Sequence, residues 1–443
     1  MKTPQQRKAA SIRSVIRYLQ KFKNAVIVIY LDDETIESPL FTSHVRDIAL
    51  LHQAGLKVII IPGTRSRIDQ ILKANNIEWT YKNQVRVTPE AAMPLIKMAA
   101  FDVSNTVMTT LAANNITAVI GNWVRGRSKG IIDGFDYGTA GEIERLNVEA
   151  IQTVLNDGFI PIFPCIGWNA AGRPYNISSV SLSQQVAIHL GADKLFYVMQ
   201  TGSINGAKYK IPEGFAIAEN GDVAAMNLDE VENFISINRE LNDSASLEIM
   251  SVLEKACEAC TKGVTRVHIV DGTLDGVLPC EIFSDLGSGT MIYTNNYGKI
   301  RQMVHTDIAP VLTVMRPFID SGKLLPRTES QLAELVDEFI VYELDGGVHA
   351  CAGLHQYAGG QCEIEAVAVD ENFAHMGIGP KLIKNLFERA KNSGAKSVFI
   401  MTTQASDWFE KLGFIADSID TIPAERKAKW TPERNSKVYR KIL

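Results

Sequence analysis

Gly377 and Gly379 end an alternating apolar segment, EIEAVAVDENFAHMGIGP (363–380), and stand just before a run with helical spacing. Ile383, Leu386, Phe387 and Ala390 recur there at i, i+3, i+4 and i+7, the pattern of an amphipathic helix. Glycines at a strand-to-helix turn let backbone N–H groups approach a phosphate closely, and the helix N-terminus adds favourable partial charge. A glycine pair alone also serves as an ordinary tight turn. Its companion is Ser406–Phe414, SDWFEKLGF, which places aromatic residues and a further glycine downstream.

These residues need a framework, and 443 of them suffice for two or three domains, each with a core of its own. Composition is that of an ordinary globular chain, 46% hydrophobic and 21% charged with a net charge of −5. Mild acidity speaks against a nucleic-acid partner. No apolar run approaches about 18 residues, which excludes a membrane-spanning helix as an expectation. The opening, MKTPQQRKAASIRSVIRYLQKFKN, has neither an apolar core nor a cleavage site and does not read as a secretory signal.

Cys165, Cys257, Cys260, Cys280, Cys351 and Cys362 are too scattered for a disulfide framework. Cys257 and Cys260 form a CxxC, yet they share a helical face with Met250 and Leu253, and no second ligand pair lies nearby. Core packing is the expectation, with no metal site and a reducing, cytoplasmic setting.

Residues 1–24 carry Lys2, Arg7, Lys8, Arg13, Arg17, Lys21 and Lys23 without an acid, and Ile12, Val15, Ile16 and Leu19 give an apolar stripe. This basic arm is expected to pack on a neighbouring subunit rather than on a membrane. From residue 25, strands (AVIVIYL, LKVIIIPG, NITAVIGNW, GFIPIFPCIGW, KLFYVM, RVHIVDG) alternate with helical patterns such as SHVRDIALLHQAG. That is an α/β domain with a mainly parallel sheet over 25–292. The turn-rich YTNNYGK (293–299) is the expected linker. In 300–443, IRQMVHTDIAPVLTVMRPFIDSG reads as a helix, followed by strands at EFIVYEL, HACAGLHQY and EIEAVAVD, the glycine-started helix, and a strand at SVFIMTT.

Together the glycine turn and SDWFEKLGF resemble the acetyl-CoA site of the GNAT acetyltransferase superfamily, which implies an α+β C-terminal domain. The first half resembles the amino-acid kinase fold, a three-layer architecture. KNQVRVTPE (82–90) is similar to its substrate-binding segment, with Arg86 at the carboxylate-binding position, and PCEIFSDLGSGT (279–290) to its C-terminal signature. Kinase chemistry is not expected. Where those kinases carry Lys and Gly-Gly after the first strand, this chain has Tyr30-Leu31-Asp32-Asp33, and YNISSV offers Val180 in place of their Asp.

A kinase-like domain fused to a GNAT domain resembles the bacterial N-acetylglutamate synthase family. GIIDGFDYGTAGEIERLN (130–147) and ERNSKV (433–438) are similar to stretches of it. The resemblance implies an amino-acid N-acetyltransferase that uses acetyl-CoA and L-glutamate without a metal, takes L-arginine as effector, and assembles as a homo-oligomer, a hexamer. It implies Glu363 as general base, with Glu365 on the same strand face as the alternative. Val367 and Val369 would offer backbone groups to acetyl-CoA, and Gly377, Ile378 and Gly379 would hold its pyrophosphate. Arg327, Arg434 and Ser436 match the glutamate-binding positions, where guanidinium forks suit carboxylates. Glu281, Gly287 and Gly289 would contact arginine. Two departures stand out: Ala374-His375-Met376 replaces an Arg or Gln before the glycines, and Trp408-Phe409 replaces the usual Tyr acid. Transfer to another acidic amino acid, and a non-catalytic arginine sensor, are the rival readings.

Overall fold

VIVIYL (β1, Val26–Leu31) and KVIIIP (β2, Lys57–Pro62) are almost continuously apolar and buried nearly end to end, as strands covered on both faces must be. The computed structural model describes residues 22–443 except 83, 213, 219, 284–287, 295–297, 345, 372, 374–376, 432 and 433, together with 5, 12, 13, 15, 16, 19 and 20. Contacts divide the chain into two units, Met1–Thr294 and Asn295–Leu443.

In the first unit, β1 and β2 join Ala118–Ile120 (β3), Ile160–Ile162 (β4), Lys194–Met199 (β5), Ala216–Ile217 (β6), Val223–Asn227 (β7), Arg266–Asp271 (β8) and Thr290–Tyr293 (β9). The sheet order is β6-β7-β9-β8-β5-β1-β2-β4-β3. Pairing is parallel except at β6–β7 and β8–β9. Because side chains alternate along a strand, Ile27, Ile29 and Leu31 pack under α1 (Phe41–Gln53), α2 (Met93–Ala112) and α5 (Val277–Phe283), while Val28 and Tyr30 face α3 (Ser179–His189) and α4 (Ser244–Thr261). Three layers result, helix on sheet on helix.

Cys260 is buried on α4 and Cys257 is partly buried against the same core, and desolvation pushes both thiols up to about 12. They act as small apolar side chains. No group of three or more metal-binding side chains occurs among the described residues. Of the basic arm, most residues lie outside the described set. Leu19 packs against the core, while Ile12 and Ile16 are exposed.

The second unit contains Gly298–Gln302 (β10), α6 (Ile308–Asp320), Phe339–Leu344 (β11), Gly347–Tyr357 (β12), Gln361–Val369 (β13), α7 (Ile378–Asn392), Ser397–Thr402 (β14), Ile415–Asp417 (β15) and Lys437–Ile442 (β16). Their sheet order is β10-β11-β12-β13-β14-β16-β15. Ile300–Gln302, expected to open a helix, instead pair antiparallel with Ile340–Tyr342, and the helix starts only at Ile308. Within the expected linker 293–299, Tyr293 closes β9 and Gly298 and Lys299 belong to β10. The helix α6 buries Val311, Val314 and Met315 against Phe339, Val341, Cys351 and Ala368.

One buried pair in the first unit predicts a pH dependence. His268 of β8 donates from Nδ1 to Glu281 of α5 at 2.6 Å. Burial lowers the His268 pKa to about 4, although Glu281 pulls the other way. A histidine depressed in the folded state contributes stability above its unfolded value of about 6.5 and loses it as pH falls through the folded value. In His268→Gln, the fall in melting temperature between about pH 6.5 and 4 is expected to be shallower than in the wild type, as followed by circular dichroism.

Candidate active site

The parallel strands β13 and β14 pair only through Gln361–Glu363 and Ser397–Phe399. β13 continues to Val369, so among the described residues its edge beyond Glu363 has no strand partner on that side. A backbone edge left open in this way offers N–H and C=O groups to a ligand. A bulge deepens the irregularity: the register against β12 shifts between Cys351 and Gly353, and Ala366 takes a left-handed φ of 51°. Such a bulge re-aims the residues that follow, here Val367 and Val369. Both are half-buried.

The two glycines serve different needs. Gly377 has φ 63° and caps α7, a conformation that side chains disfavour. Gly379 lies under Trp408, and a Cβ there would sit 3.0 Å from the indole. The glycine turn and the SDWFEKLGF segment, separate in sequence, therefore meet at Gly379 and Trp408. Phe409 and Phe414 pack edge-to-face at 5.5 Å beneath them. Ile378 is buried, and α7 has no acidic residue in its first turn, as an anion site requires. Residues 374–376, one of the two departures from the GNAT pattern, lie outside the described residues.

On one face of β13 stand two carboxylate–arginine pairs. Glu363 is buried, and its Oε2 accepts from Tyr357 Oη at 2.9 Å and Arg426 Nε at 2.7 Å. Burial opposes the Arg426 charge, but Glu363 outweighs it and the guanidinium pKa is raised. Desolvation and the same carboxylate push the Tyr357 phenol well up, so it stays a donor. Two residues on, Glu365 pairs with Arg327 at 2.6 Å. The two carboxylates expected on one face are thus together, each with a guanidinium.

Arg434 donates to the Lys323 carbonyl at 3.0 Å, which ties the C-terminal segment to the loop that carries Arg327. The Ser436 carbonyl accepts from Trp430 Nε1 at 3.3 Å. Tyr357 and Arg426 are site residues that sequence reasoning missed. Arg426 sits in the short helix Ala424–Lys427, where AERK looks like any solvated charge run.

In the first unit, Glu281 is fully engaged by its own chain. Beside His268 it accepts from Ser288 N at 2.6 Å and Gly289 N at 2.8 Å. Burial alone would raise its pKa, but these bonds hold the carboxyl at about 2. Gly289 approaches β8 so closely that a Cβ would lie 2.4 Å from the Ile269 carbonyl. Gly287 lies outside the described residues. A polar cavity of about 380 Å³ opens at the C-terminal ends of β1 and β2, lined by Tyr30, Asp33, Gly63, Arg65, Arg86 and Val180 among others. Two of its charged groups are held by the chain itself: Asp33 accepts from Ser66 N at 2.8 Å, and Arg86 is paired with Asp69 and donates to the Arg65 carbonyl at 3.1 Å. Asp32 caps the helix Asp33–Glu37, and burial raises its pKa to about 6.

Residues 26–271 match the Amino acid kinase family and residues 312–414 the Acetyltransferase (GNAT) family. The amino-acid acetyltransferase of Vibrio cholerae is 31% identical over 435 residues, covering 95% of both chains. That of Escherichia coli is 30% identical over 437 residues, covering 96% of both. Among solved structures, the N-acetylglutamate synthase from Neisseria gonorrhoeae complexed with coenzyme A and L-arginine has a TM-score of 0.79 at 26% identity, with 98% of this chain and 99% of that one covered. Its complex with coenzyme A and N-acetyl-glutamate gives 0.62 at 27% identity over 98% and 99% of the two chains. With a kinase-like unit joined to an acetyltransferase unit, and relatives matched along almost its full length, the chain belongs to the amino-acid acetyltransferase family.

Proposed function

We propose that this amino-acid N-acetyltransferase moves the acetyl group of acetyl-CoA to the amine of L-glutamate, giving N-acetyl-L-glutamate and CoA, the first step toward arginine. The observation that carries the reading is the open β13 edge flanked by the Gly377 helix start on one side and by two arginine-paired carboxylates on the other. Gly377, Ile378 and Gly379 hold the pyrophosphate at the start of α7, and Val367 and Val369 pair with the pantetheine arm and polarise the thioester carbonyl. Arg327, Arg434 and Ser436 take the acceptor's carboxylates. Glu363 removes the ammonium proton directly or through one water, its orientation fixed by Tyr357 and Arg426. The thiolate leaves without a tyrosine acid, since a thiol is acidic enough to depart with little help, and Trp408 serves packing instead.

Transfer proceeds within a ternary complex: Cys362, next to Glu363 on β13, belongs to the opposite strand face, and burial pushes its thiol up. Gly379→Val is expected to raise the acetyl-CoA Kd by about tenfold or more, read by calorimetry, because a larger side chain collides with Trp408 at the helix start.

The first unit serves as the arginine-responsive part, with Glu281, Gly287 and Gly289 as contacts. An incoming guanidinium competes there for a carboxylate that the chain already satisfies. Cytoplasmic residence and a hexamer that uses residues 1–24 complete the proposal. The test is thiol release from acetyl-CoA with a panel of amino acids, with and without arginine. Release that depends on L-glutamate supports the reading. Release with a different acidic amino acid moves the acceptor, and arginine binding without any release moves the protein to a sensor.

A further inference from the structure

Glu365 is the last residue on its face before the Ala366 bulge, and it stands opposite Gly353 of β12. Gly353 leaves its place to Phe339 of β11, whose ring lies 2.9 Å from where a Cβ would be. The Arg327 guanidinium lies over that ring at 5.5 Å and from there reaches Glu365 at 2.6 Å. An aromatic platform thus fixes the arginine, and the strand fixes its carboxylate. The side chains are 18% and 24% exposed, so the pair is mostly covered yet open at one side. Burial raises the Glu365 pKa against the pull of Arg327, and the nearby charges of Glu363 and Arg426 act in opposite directions.

Arg327 is also the residue assigned above to an acceptor carboxylate, and it is already neutralised by the chain itself. Around this face Glu365 answers Arg327 and Glu363 answers Arg426, and Glu338 pairs with His355, which stands opposite Glu363. An amino acid with a carboxylate side chain brings one net negative charge, whereas one with a neutral side chain brings none.

We infer that Glu365 is a specificity-determining counter-ion: it holds Arg327 in place until a carboxylate of the acceptor displaces it. The inference rests on the glutamate reading. Binding then includes the cost of parting an existing ion pair, so the affinity for glutamate is lower than an unpaired Arg327 would give.

Glu365→Gln tests this by calorimetry and steady-state kinetics on the full chain. Its Kd and KM for L-glutamate are expected to fall about tenfold, a change of about 1.4 kcal/mol. The Kd for L-glutamine is expected to change less and that for acetyl-CoA to stay, which also reports an intact fold. In an Arg327→Ala background, the gain from Glu365→Gln is expected to be clearly smaller, because there is no ion pair left to part. An unchanged or weakened glutamate affinity, or a gain equally large without Arg327, overturns the inference. So does a collapse of kcat at constant glutamate Kd, which makes Glu365 a proton acceptor instead. Should the wild type release no thiol with glutamate, the functional reading fails, while the Kd values still decide the counter-ion role.

Discussion

Glu363→Gln lowers kcat by about 10²- to 10⁴-fold, the range for loss of a positioned general base, and leaves the acetyl-CoA Kd near the wild-type value. The substitution keeps the shape of the side chain, and an amide oxygen still accepts from Tyr357 and Arg426. What disappears is the ability to take a proton. Both described bonds fall on Oε2, so in the proposed mechanism Oε1 takes the proton from the reacting amine or a water. The more drastic Glu363→Ala adds a stability loss of about 3–5 kcal/mol, because it leaves the Arg426 guanidinium covered and unpaired. Comparing the two variants by stopped-time assay and thermal melt separates chemistry from scaffold. An unchanged kcat in Glu363→Gln removes this residue as base.

Arg434→Ala raises the KM for L-glutamate roughly 10- to 100-fold, since a hydrogen bond to a charged group contributes about 1.5–3 kcal/mol. Among the described residues its guanidinium is anchored by one nitrogen, at the Lys323 carbonyl, which leaves further donors for a carboxylate. Acetyl-CoA affinity should hold, because the residue lies on the C-terminal segment and not at the start of α7. An equal loss for both substrates would place Arg434 outside the acceptor pocket. The same assay on Arg327→Ala is also expected to show a rise, because the acceptor loses a cation and Glu365 is left unpaired beside it.

How much of this was legible beforehand depended on whether the signal was local. Continuous apolar runs such as KVIIIP and a glycine that needs φ 63° carry their message within a few residues, so the parallel sheet and the helix start were readable. IRQ at 300–302 has no such local message, and only its pairing with β11 makes it a strand. The tail illustrates the same limit. ERNSKV was readable by resemblance as a binding segment, yet β16, which begins at Lys437, lies between β14 and β15 with Val438 and Tyr439 buried.

Glu363 and Glu365 were readable as neighbours because strand periodicity alone puts them on one face. Their guanidinium partners were not, since Arg426 arrives from 63 residues away in sequence. Arg327 was expected to face substrate, and its pairing with Glu365 depends on the aromatic platform that Gly353 makes room for. For the glycine pair, sequence gave one purpose to both residues. The structure divides them, with backbone conformation at Gly377 and clearance for Trp408 at Gly379.

The measurement that tests the central claim most directly is carbon NMR on the purified protein with carbonyl-labelled acetyl-CoA and L-glutamate. The account predicts that the thioester carbonyl signal is replaced by the amide signal of N-acetyl-L-glutamate, in step with the appearance of free CoA. A thioester signal that persists, or that converts only to free acetate, would contradict it.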